Sequence, residues 1–65
     1  MKKGQRVIVR AYPNKRLERT VWEVGETYVA VCRPEVYLEI EKLEFLPDCV
    51  MGFPKEDIVE ILENQ

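Results

Sequence analysis

The chain has 65 residues and a mass of 7.7 kDa, which makes it one domain or a portion of a larger protein. Apolar residues make up 46% and charged residues 34%, a globular rather than a disordered composition. A fold of this size buries only about 60% of its unfolded surface, which leaves little room for a deep substrate pocket with supporting residues around it.

Arg6 to Tyr12 (RVIVRAY) is β-branched and alternates. Val7, Val9 and Ala11 share one face and Arg6, Ile8, Arg10 and Tyr12 the other, which predicts a first strand. Pro13-Asn14-Lys15 interrupts it, because proline lacks a donor and asparagine suits turns. Leu17 to Val24 reads as a second strand, paired with the first as a hairpin. Gly25-Glu26 signals a tight turn, and Thr27 to Cys32 (TYVAVC) predicts a third strand. That strand is apolar on both faces and therefore belongs inside the sheet.

Arg33-Pro34-Glu35 changes the period, since proline fits the first helical turn and Glu35 complements the dipole there. Val36, Ile40 and Leu43 recur at i, i+4 and i+7 beside Tyr37, a stripe that can cover a sheet. Leu38 and Phe45 fall on the opposite side, so either the helix stops near Leu43 or both are offered to something else. Cys49 to Phe53 (CVMGF) predicts a fourth strand and Ile58 to Leu62 (IVEIL) a fifth, with Glu60 pointing out or Val59 and Ile61 turned inward. Between them Pro54-Lys55-Glu56-Asp57 is long enough only for a 3₁₀ turn.

The expected fold is mainly β: a five-stranded barrel with one short helix between the third and fourth strands and a 3₁₀ turn before the fifth. Gly52-Phe53-Pro54-Lys55-Glu56-Asp57-Ile58-Val59 resembles the closing segment of SH3-like barrels, and Lys3-Gly4-Gln5-Arg6-Val7-Ile8-Val9 resembles their opening strand in bacterial proteins. Together with Val21-Trp22-Glu23 and Val31-Cys32-Arg33-Pro34-Glu35-Val36-Tyr37, these stretches are similar to small bacterial barrel proteins that carry no assigned activity. The resemblance implies a single SH3-like domain over residues 1–65 and supplies no reaction. It departs from the eukaryotic domains that bind proline-rich peptides. The first loop, Pro13-Asn14-Lys15-Arg16, is short and basic, Trp22 has no tryptophan partner, and Pro54 lies one residue further than usual from Ile58.

Catalysis is not expected. The chain has no histidine and no serine, and its glycines stand apart at positions 4, 25 and 52, so neither an activated hydroxyl nor a glycine-rich phosphate loop is present. Glu35 and Glu39 are helix-surface neighbours, a solvated acidic face rather than a converging pair. Cys32 and Cys49, with sixteen residues between them, read as reduced thiols unless the fold brings them together. Two thiolates without further suitable ligands do not make a zinc site, so no metal or cofactor is expected. The N-terminus is charged without a following signal-length apolar stretch, and no run nears the roughly 20 apolar residues of a membrane span. The default expectation is a cytoplasmic protein without membrane contact or a small-molecule substrate.

Two surfaces remain. Tyr37, Leu38, Phe45 and Leu46 around the helix form a candidate patch for another protein or for a homodimer. The alternative is nucleic acid on the basic hairpin, with Arg6, Arg10, Arg16 and Arg19 tracking phosphates and Trp22 stacking on bases. The net charge of −2 divides into +5 over residues 1–33 and −7 over residues 34–65, so the acidic half works against a phosphate backbone. Protein binding is therefore the first expectation, and Trp22 decides much of the alternative, since a lone tryptophan in a small domain is usually core.

Overall fold

In the structure, a computed structural model that describes residues 1–42 and 47–62, the first alternation becomes strand β1 (Arg6–Ala11). It forms an antiparallel hairpin with β2 (Lys15–Val24), Arg6 opposite Thr20 and Ala11 opposite Lys15. The second strand thus starts two residues before Leu17, because the break occupies only Tyr12, Pro13 and Asn14. Strand β3 (Tyr28–Cys32) follows a turn in which the Gly25 N–H donates to the Tyr28 carbonyl at 2.8 Å. Helix α1 (Pro34–Ile40), β4 (Met51–Pro54), a 3₁₀ turn (Lys55–Asp57) and β5 (Ile58–Ile61) complete the order. The fourth strand begins at Met51 rather than Cys49, since the Val50 N–H is taken by the Pro47 carbonyl at 3.2 Å in a turn.

All five strands form one antiparallel sheet in the order β4-β3-β2-β1-β5. β3 is interior, as its two apolar faces require. The edge strands are consecutive in sequence. In a flat sheet they would lie about 19 Å apart, whereas the three residues of a 3₁₀ turn advance only about 6 Å. The sheet must therefore roll until its edges approach. It does not close: among the described residues β4 pairs only with β3 and β5 only with β1. The expected closure is thus met only by a rolled sheet, because the chain between the edges is spent on the turn.

Rolling creates the main core. Val7, Val9, Val21, Val29 and Val31 are fully buried on the concave face, with Phe53 and Ile58 packed against them from the two edges. Ile58 is the inward residue of β5, while Val59 and Ile61 are exposed. A second cluster of Trp22, Ala30, Cys32 and Ile40 lies on the opposite face under the helix, with Val36, Tyr37 and Val50 beside it. Trp22 joins that cluster by ordinary alternation: Thr20 pairs with Cys32, and Trp22, two residues on, shares its face. Consecutive residues Val21 and Trp22 therefore serve two different cores, and the register shift that follows places Glu23 opposite Ala30.

The N-terminal segment seals the second core. Gly4 adopts φ 89°, a left-handed conformation that favours glycine, and donates its N–H to the Val21 carbonyl at 2.8 Å. The turn carries Lys3 over the Trp22 ring, 5.1 Å from its centroid, where its Nζ also donates to the Glu41 carbonyl at 3.0 Å.

Candidate functional site

Helix α1 begins with Pro34 and carries Glu35 in its first turn, with no side-chain cap. Its seven residues are too few to be stable alone, so packing on the sheet holds it. Val36, Tyr37 and Ile40 supply that packing, and Glu35, Leu38 and Glu39 face outward. Of the four residues expected to form a protein-binding patch, Leu38 is 73% exposed. Tyr37 is half-buried against the second core, and burial, assisted by Glu41 and Cys32, raises its phenol above the usual range. Its role is to seat the helix. Phe45 and Leu46 lie outside the described residues.

The cations of the hairpin converge only in part: Arg6 and Arg19 border one open cavity with Arg33, beside Glu18 and Glu35, while Arg10 lies apart near Tyr12 and Asp57. The Arg6 Nε lies 2.9 Å from Glu18 Oε2, and Arg10 Nη2 lies 3.1 Å from Asp57 Oδ1. Arg16 sits opposite Arg10, whereas Arg19 pairs across from Val7 and lies toward the start of the helix. The Arg19 Nη1 donates to the Glu18 carbonyl at 2.8 Å. Trp22 is 6% exposed, with Lys3 over its ring and its Nε1 donating to the Ile40 carbonyl at 3.3 Å. No face of that ring is open to a base. Tyr12 at the hairpin tip, 95% exposed, is the aromatic that this surface does present.

One feature escapes the sequence. A cavity of about 280 Å³ at the junction of β3, α1 and the turn before β4 is lined by Arg19, Cys32, Arg33, Cys49 and Met51, with Val31 and Val36 as walls. Both thiols are free, Cys32 buried and Cys49 exposed. Burial pushes the Cys32 thiol above its ordinary value, Cys49 adds to this, and Arg19 opposes it. A spacing of sixteen residues signals nothing; the antiparallel return of β4 along β3 brings the two cysteines to one place.

Among the described residues no group of three or more Cys, Asp and Glu is arranged to hold a metal, and no helix is long and apolar enough to cross a membrane. Comparison with protein-family models, curated proteins and solved structures finds no match.

Proposed function

We propose that the chain is a non-enzymatic SH3-like module that binds another protein through the outer face of α1. The strand order, the helix-bearing segment between β3 and β4, and the 3₁₀ turn before β5 support the SH3-like reading. Leu38 carries the functional one. A leucine 73% exposed contributes nothing to this core, and it stands between the exposed carboxylates Glu35 and Glu39. An apolar residue flanked by two acids matches a basic segment that presents an apolar side chain of its own. Such contacts combine a desolvated anchor with charge that steers the encounter.

The test compares immobilised wild-type chain with the Leu38→Glu variant in one cell extract. A protein retained by the wild type at low salt, released as salt rises and absent from the variant supports the reading. Indistinguishable retention by the two baits, with unchanged circular dichroism, rejects it. Sedimentation of the isolated chain identifies whether a second copy is the partner, since self-association would then also be lost in Leu38→Glu.

A further inference from the structure

We propose that the cavity formed by Cys32, Cys49 and Met51 is a binding site for a soft monovalent metal ion, copper(I) in particular. The chain contains two cysteines and two methionines, and three of these four sulfur side chains line this one cavity. Zinc requires about four ligands in a tetrahedron, and the donors for it are missing. Copper(I) is satisfied by two thiolates, with a thioether as a weak third donor, and thiolate and thioether ligands select it.

Position and charge agree with that chemistry. Val31 pairs with Met51, so Cys32 and Cys49 both flank the end of the β3–β4 ladder. Met51, exposed on the edge strand and starting from the face of Val31, borders the cavity from the other side. The Cys32 thiol makes only a weak contact to the Thr20 carbonyl, at 3.8 Å, which a metal bond readily replaces. Binding is written as Cu⁺ plus two thiols giving a bis-thiolate complex of charge −1 and two released protons. Arg19 and Arg33 line the same cavity and offset that negative charge. The Arg33 guanidinium makes no hydrogen bond or ion pair to another described residue, and only its main-chain carbonyl is engaged, by the Val36 and Tyr37 N–H groups at 3.0 Å. Cys32 is buried at the inner side of the cavity and Cys49 is exposed, so the ion has an entry path and a sheltered end.

The experiment is an anaerobic copper(I) titration of the reduced chain against a chromogenic copper(I) chelator. The expected result is one copper retained per chain, with two protons released per ion at neutral pH. Cys49→Ser, at an exposed position, lowers the affinity about a hundredfold, and Met51→Leu lowers it about tenfold. X-ray absorption of the complex should show sulfur neighbours only. Complete loss of copper to the chelator overturns the proposal, as does equal retention by wild type and Cys49→Ser. One copper shared between two chains also overturns it, because exposed Cys49 thiols would then be bridging copies. Cys32→Ser is the stricter variant, and Cys49→Ser keeps the test decisive if the buried substitution unfolds the chain.

Discussion

The indole Nε1 of Trp22 donates to the main-chain carbonyl of Ile40 at 3.3 Å, tying the middle strand of the sheet to the last residue of the helix. The bond satisfies a carbonyl at a helix terminus, where intrahelical partners run out. The same ring shares the second core with Ala30, Cys32 and Ile40, against which Val36 and Tyr37 pack. One side chain therefore both packs the helix and fixes where it ends.

Removing the hydrogen bond and removing the ring are accordingly different perturbations. Trp22→Phe should cost about 1–2 kcal/mol, the bond and a little packing. Trp22→Ala should cost about 3–5 kcal/mol, which a domain this small cannot spare. Urea denaturation followed by far-ultraviolet circular dichroism separates the two. In the wild type Trp22 emission should be blue-shifted and unchanged by a single-stranded oligonucleotide at low salt. Quenching by the strand, reversed by added salt, would instead return the basic hairpin to first place as the binding surface.

Gly4 is the second fixed point of that core. Its φ of 89° is costly for any residue with a Cβ, and a Cβ there would stand 3.2 Å from the Tyr37 hydroxyl oxygen. Gly4→Ala should therefore lower stability by about 1–2 kcal/mol. The loss should be concentrated where the N-terminal turn covers the second core. Hydrogen exchange of the Val21 amide, which donates to the Gln5 carbonyl at 2.8 Å, reports it directly. An unchanged Val21 exchange rate would mean that the turn does not hold the strand.

What the sequence discloses here depends on periodicity. Val7 and Val9 face the core because nothing disturbs the alternation of β1, and the apolar faces of β3 follow from its interior position. Val36, Tyr37 and Ile40 are equally readable as the buried stripe of α1. Trp22 is not, because its parity is shared by the exposed Glu18 and Val24 as well as by the buried Thr20, so alternation alone does not assign its face to a core. The ion pairs that occupy Arg6 and Arg10 also lie beyond pattern reading. The first depends on cross-strand register, since Ile8 rather than Arg6 is opposite Glu18, and the second on the rolled sheet carrying Asp57 to β1. The sulfur-lined cavity is hidden for the same reason: it is a product of strand return, not of spacing.

The half-buried phenol of Tyr37 and the buried thiol of Cys32 make stability fall in alkali. Cys32 is held above its ordinary value of 9.0 by burial first, with Cys49 adding and Arg19 opposing. Tyr37 is held above its ordinary 10.0 by burial, with Glu41 and Cys32 adding. In both cases the unfolded chain gives up its proton before the folded chain does. The folded state therefore binds more protons across that interval, and the stability of unfolding declines as pH rises. The contribution is complete below the unfolded values and is lost as pH climbs from about 9 through the raised folded ones. Urea midpoints at neutral pH and at successive alkaline steps should show this decline. Cys32→Ala should remove its earlier part and Tyr37→Phe its later part, each measured as a difference from wild type so that other titrations cancel. A wild-type midpoint that stays level, or a decline identical in both variants, would mean that neither group is shielded by the helix.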